Sequence, residues 1–200
     1  MESFVSPQNA LSMEQVAAIC GVSQERVRRW IDKKSLLAKR AEGCGLLVRR
    51  DDLIDFLVQH NIPIPEAILP FTAKKILFVL SQEAMEDIFM QFVMRFFERL
   101  KKEANFIVDY ASYGTSLKMK MIVFRPDLVV FGVSGEGKAA ATASSLIKNN
   151  EGYSSVKIIA ITKKDVTENI SNYLLSNGVD AIIPRSIELK SLVEKIKNLY

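Results

Sequence analysis

Arg26, Arg28 and Arg29 fall within four consecutive residues, with only Val27 between them and Glu25 just before. Arginine carries a permanent charge and a planar fork of N–H donors, which suits contact with phosphate oxygens. The surrounding charge is concentrated in the same place. Residues 20–50 hold nine Lys or Arg (Arg26, Arg28, Arg29, Lys33, Lys34, Lys39, Arg40, Arg49, Arg50) against Glu25, Asp32 and Glu42, so this window exceeds the chain's net charge of +4. A charge run is usually just a solvated face. Here it coincides with a motif shaped to fit a groove, which turns the reading toward phosphate contact.

That motif spans residues 13–32, which read as a complete helix-turn-helix. Ser12 is placed to cap a first helix, and Gln15 three residues later completes a capping box. Met13, Val16, Ala17 and Cys20 recur at helical spacing and form one apolar stripe. Gly21 breaks the helix where positive φ is required. Ser23 caps a second helix whose core side is Val27, Trp30 and Ile31. Leu11 with Val16, and Val22 with Val27, repeat the spacing of a hydrophobic staple. Two short helices joined by a glycine turn, the second rich in arginine, fit a major groove. Trp30 is expected in the core rather than as a stacking platform. After the second helix, LLAKRAEGCGLLVRR predicts a two-stranded wing turning at Glu42-Gly43-Cys44-Gly45. Asp51 is expected to cap a third helix, with Leu53, Ile54, Leu57 and Val58 inward. A first domain over residues 1–60 is followed by a linker at 61–73, whose Pro63, Pro65 and Pro70 favour an extended connector.

Bulk properties exclude several classes. A 200-residue chain with 48% hydrophobic content can build two packed cores. No apolar run is long enough for a membrane span, and no signal-peptide pattern opens the chain, so a cytoplasmic protein is expected. Cys20 and Cys44 are too far apart for a metal or disulfide framework; Cys20 reads as core and Cys44 as an exposed turn residue. His60 is the only histidine. No nucleophile–base pair and no metal cluster is visible, so neither an enzyme nor a cofactor is expected.

Beyond residue 73 the pattern alternates between strand and helix. KKILFVL (74–80), FIVDY (106–110), DLVVFG (127–132), KIIAIT (157–162) and AIIP (181–184) suit buried parallel strands. The expected fold is α/β overall: a small winged helix-turn-helix domain, then a flavodoxin-like, five-stranded, doubly wound parallel sheet over 74–200. Its first helix, about 82–103, presents Met85, Ile88, Phe89, Phe92, Val93, Phe96 and Leu100 to the sheet. Met90, Met94 and Phe97 form a second stripe, either a subunit interface or a widened core face. A glycine-rich loop, GVSGEGKA (132–139), follows a strand and opens a helix, as a phosphate-binding loop does. Gly135, Gly137 and Lys138 are its candidate anion contacts. Ala139 stands where a Ser or Thr would hold magnesium, and no later strand ends in the needed aspartate. Nucleotide hydrolysis is therefore disfavoured, and a plain glycine loop is the simpler reading.

Two resemblances extend these readings. VAAICGVSQERVRRWIDKKSLLAKR followed by GLLVRRDDLIDFL resembles the excisionase and MerR-type winged helix-turn-helix family, whose members bind double-stranded DNA. The resemblance implies that Gln24, Arg26, Arg28 and Arg29 lie on the recognition helix, Lys39 and Arg40 on the wing, and Arg49 on the strand returning from it. KKILFVL, RPDLVVFG, KIIAIT and GVDAIIPRSIELKSLVEKI resemble the receiver domain of bacterial response regulators. By that resemblance the acidic pair is replaced by Leu80 and Ser81, and the phosphoacceptor by Gly132. Only Thr162 and Arg185 keep the family's polar character, and Glu83 alone cannot replace the missing magnesium ligands. A cobalamin-binding domain of similar topology is excluded, because no histidine follows His60. The expectation is a DNA-binding transcription regulator with a pseudo-receiver that mediates homodimerisation, by its first or last helix, or docking to another regulatory protein. Two other readings stay open: an excisionase-like DNA-architecture factor, and a regulator sensing an anion or nucleotide through the 132–139 loop.

Overall fold

A computed structural model of the chain describes residues 9–41, 45–81, 88–101, 106–133, 135–162, 166–184 and 187–198. The chain divides into two compact units, Met1–Phe71 and Thr72–Tyr200.

The first unit runs β1 (Ala10–Ser12), α1 (Met13–Cys20), α2 (Gln24–Asp32), β2 (Lys39–Ala41), β3 (Gly45–Arg49) and α3 (Arg50–Gln59). The α1 capping box forms in full: the Gln15 N–H donates to Ser12 Oγ at 3.2 Å, and the Ser12 N–H to Gln15 Oε1 at 2.8 Å. Gly21 takes the left-handed conformation, φ 63°. Its N–H donates to the Ala18 carbonyl and that of Val22 to the Ala17 carbonyl, which closes α1 as a Schellman motif. Ser23 Oγ accepts the Arg26 N–H at 3.3 Å and starts α2. The core holds Leu11, Val16, Val27, Leu36, Val48, Leu53, Phe56 and Leu57.

Four features differ from the expectations. The sheet has three antiparallel strands, ordered β1-β3-β2, rather than the two of a lone wing. Leu11 lies opposite Val48, so the residue read as a staple is also a strand position. The N-cap of α3 is Arg49, with no side-chain capping bond, and Asp51 sits inside the first turn. The reason is that β3 runs into α3 with no intervening loop. Phe56 is buried and Val58 only half-buried, so the inner face of α3 is rotated from the expected one. Of the expected wing turn, residues 42–44, including Cys44, lie outside the described residues. The proline-containing stretch is not extended throughout: Glu66–Ile68 forms one 3-10 turn with Ile68 fully buried.

The second unit runs β4 (Lys74–Leu80), α4 (Ile88–Lys101), β5 (Phe106–Ser112), α5 (Thr115–Val123), β6 (Leu128–Gly132), α6 (Lys138–Lys148), β7 (Lys157–Thr162), α7 (Glu168–Ser176), β8 (Ala181–Pro184) and α8 (Leu189–Lys197). The strands pair in parallel in the order β5-β4-β6-β7-β8, the flavodoxin-like order. One face of the sheet is covered by Phe96 and Leu100 of α4 and by Leu192, Val193 and Ile196 of α8. Phe97, assigned to the second stripe, instead packs on this core, its ring centroid 6.3 Å from that of Phe78. Met94 is exposed. Met85 and the side chains of Ile88, Phe89, Met90 and Val93 lie outside the described set. Among the described residues no helix is long and apolar enough to cross a membrane.

One buried ion pair stands out against this apolar packing. Lys120 Nζ of α5 donates to Asp109 Oδ2 of β5, and both side chains are buried. Asp109 Oδ1 also accepts the Tyr110 N–H at 2.8 Å. Two desolvated charges roughly break even when paired, whereas removing one partner strands the other. Lys120→Met should destabilise the unit by about 3–5 kcal/mol. The double replacement Asp109→Leu with Lys120→Met should recover most of that loss, as read from urea unfolding followed by circular dichroism.

Candidate nucleic-acid interface

The inner face of α2 determines what its outer face can present. Val27 is fully buried. The Trp30 ring packs on Phe56 of α3, with centroids 4.9 Å apart, and Phe56 packs in turn on His60 at 4.2 Å. Ser35 Oγ donates to the Trp30 carbonyl at 2.8 Å and secures the end of the helix. This aromatic column fixes the rotation of α2 against α3. It leaves Gln24, Glu25, Arg26, Arg28, Arg29 and Asp32 exposed.

These exposed groups are not equivalent. Arg29 pairs with Glu25 one turn earlier at 3.9 Å, a solvent-exposed contact of small energetic weight. The Arg26 guanidinium lies over the Trp30 ring, 5.9 Å from its centroid, in a cation–π arrangement. Gln24 and Arg28, one turn apart on the same edge of the helix, hold no hydrogen-bond or ion-pair partner among the described residues. The Glu25–Arg29 and Arg26–Trp30 contacts both follow i,i+4 spacing, and the first agrees with Glu25 compensating a neighbouring arginine.

The wing adds a second basic surface. Lys39 and Arg40 are exposed on consecutive positions of β2, so they point to opposite faces of the sheet. Arg49 pairs with Asp51 at 3.4 Å. Burial pushes the Asp52 carboxyl above the usual range, and the charges of Arg49 and Lys39 oppose that shift. The acidic first turn of α3 therefore partly neutralises Lys39 and Arg49. Arg40 carries no ion pair among the described residues. The arrangement supplies hydrogen-bond donors and positive charge on a helix and a hairpin.

The second unit offers a different edge. Leu80 and Gly132 end β4 and β6, both buried, and Thr162 ends β7, also buried, while Ser81 is half-buried. Arg185 and Glu83 lie outside the described residues. Just past β5, the Tyr113 ring stacks on Phe131 of β6, with centroids 5.6 Å apart, and burial pushes its phenol well above the usual range. Nothing in the sequence pattern marked Tyr113. In the glycine loop, Gly137 is buried with φ 73°, and a Cβ there would lie 3.2 Å from Leu174 Cδ2. Lys138 Nζ lies 2.6 Å from Glu136 Oε2, both side chains exposed, and this contact holds the Glu136 carboxyl low. Gly135 is exposed with φ 60°. Close packing and a local ion pair account for Gly137 and Lys138 without a bound anion.

Residues 10–60 match a family described as a helix-turn-helix domain. The first unit contains a helix-turn-helix domain. The second is similar in fold to a signal receiver domain of a signal transduction histidine kinase from Syntrophus aciditrophicus, at 18% identity and TM-score 0.51, over 64% of this chain and 89% of that one. It is also similar to a response regulator from Chloroflexus aurantiacus J-10-fl, at 16% identity and TM-score 0.51, over 64% and 97% of the respective chains. These likenesses establish a receiver-like fold. No curated protein matches the chain.

Trp30 is the chain's only tryptophan, so its emission reports on the helix-turn-helix domain alone. Phe56→Ala removes the ring between Trp30 and His60 and should destabilise that domain by about 3–5 kcal/mol. The expected result is an earlier urea midpoint in Trp30 fluorescence.

Proposed function

We propose that the chain is a sequence-specific DNA-binding transcription regulator of the excisionase and MerR type, with a pseudo-receiver that works without phosphorylation. The observation that carries this reading is the exposed outer face of α2, capped at Ser23 and backed by Val27 and Trp30, with Gln24 and Arg28 unpaired among the described residues. Side chains near the N-terminus of a groove-inserted helix face base edges, while wing cations meet phosphates. Lys39 and Arg49 contribute less, since α3 carboxylates already offset them.

The pseudo-receiver reading rests on residue type at the strand ends. Phosphotransfer to an aspartate needs that aspartate and neighbouring carboxylates to hold magnesium through oxygen ligands. Leu80, Ser81 and Gly132 offer no carboxylate, and Thr162 cannot act as the acceptor's substitute in that chemistry. The unit then serves as a dimerisation or docking module. A dimer doubles the contacts of a small winged helix and fixes the spacing of two half-sites.

Two outcomes test this reading. Arg40→Ala should weaken binding to every duplex sequence alike and lower the salt slope by about one, as expected for a lost phosphate contact. Incubation with acetyl phosphate and magnesium should leave the intact mass unchanged. A stable phosphoryl adduct would overturn the pseudo-receiver assignment, and sedimentation as a monomer on DNA would overturn the dimer.

A further inference from the structure

The exposed polar residues of α2 divide into those with a neighbour on the same helix and those without, and the second group names the bases the helix would read. Arg29 is tied to Glu25 and Arg26 lies over Trp30. Gln24 opens the helix and Arg28 follows one turn later, both exposed and without partners among the described residues. Four residues advance about 6 Å along a helix axis. Successive base pairs are about 3.4 Å apart. A glutamine amide matches the donor and acceptor of adenine N6 and N7, and an arginine fork matches guanine O6 and N7.

Building on the DNA-binding reading above, we infer that the half-site contains an adenine read by Gln24 and a guanine read by Arg28, one or two base pairs apart. Arg26 and Arg29 serve the phosphate backbone on either flank. Glu25 faces Arg29 one turn on and balances its charge rather than selecting cytosine. Each bidentate contact should discriminate its base by roughly ten- to a hundred-fold.

The test is site selection by the full-length protein from a random-sequence duplex pool, run in parallel with Gln24→Ala, Arg28→Lys and Glu25→Gln. The wild type should recover a motif with an A and a G at that spacing. Gln24→Ala should lose the A and keep the G. Arg28→Lys should weaken the preference for G, keep the A, and bind random duplex with nearly the wild-type salt slope, because its charge remains while the planar fork is lost. Glu25→Gln should recover the unchanged motif. All three positions are exposed, so Trp30 emission and thermal unfolding should match the wild type. A motif unchanged in both Gln24→Ala and Arg28→Lys overturns the base assignment and leaves DNA binding standing. A cytosine lost in Glu25→Gln overturns it as well. Failure of the wild type to enrich any duplex at low salt overturns the DNA-binding reading itself.

Discussion

The left-handed turn at Gly21 is the constraint on which the first unit depends. The chain must end α1, reverse and begin α2 within three residues, and only positive φ at Gly21 allows the two closing bonds from Gly21 and Val22 to the α1 carbonyls. A Cβ at Gly21 would meet nothing within 4 Å, so the requirement for glycine is one of backbone conformation rather than space. An L residue held there would cost about 1–2 kcal/mol. Once that turn is made, Val27 and Trp30 have one place to go. The burial of Val27 and the packing of the half-buried Trp30 on Phe56 of α3 turn Gln24 and Arg28 outward. The candidate interface is thus a consequence of packing on the opposite side of a short helix.

Much of this architecture was legible because its signals are local. Caps at Ser12 and Ser23, the glycine turn, and five apolar runs each act within a few residues, and the structure places strands on all five runs. What escaped was set by partners distant in sequence. β1 is three residues long and becomes a strand only because β3, some 35 residues later, pairs with it. Asp51 looked like a cap by its type, yet the direct passage from β3 to α3 gave that position to Arg49. Phe97 follows the spacing of a second stripe but turns inward because Phe78 lies beneath it. No local pattern links Asp109 to Lys120, which strand β5 and helix α5 bring together. At the interface, the basic residues were visible, while their division into tied and free needed side-chain geometry.

The second unit has a receiver-like fold, and the residues at its C-terminal sheet edge are mostly apolar or small. Phosphoryl chemistry requires charge at the strand ends, and an apolar leucine and a glycine stand at the two central ones. Tyr113 stacked on Phe131 fills space near that edge with an aromatic contact. The glycine loop before α6, which invites comparison with phosphate-binding loops, needs glycine at 137 for its positive φ, with Leu174 packed close beside it. Its lysine already has a carboxylate partner in Glu136. Core packing and the strand-end positions use different residues: the sheet's interior is apolar, while Ser81 and Thr162 lie at its C-terminal edge.

The central claim is that the outer face of α2 and the wing meet DNA. It is tested most directly by fluorescence anisotropy of a labelled random-sequence duplex titrated with the full-length protein at low and moderate salt. Binding at low salt should weaken steeply as salt rises, the mark of basic side chains displacing the counterions condensed on DNA phosphates. Absence of binding at low salt would contradict it and assign the exposed basic face of α2 to another kind of partner.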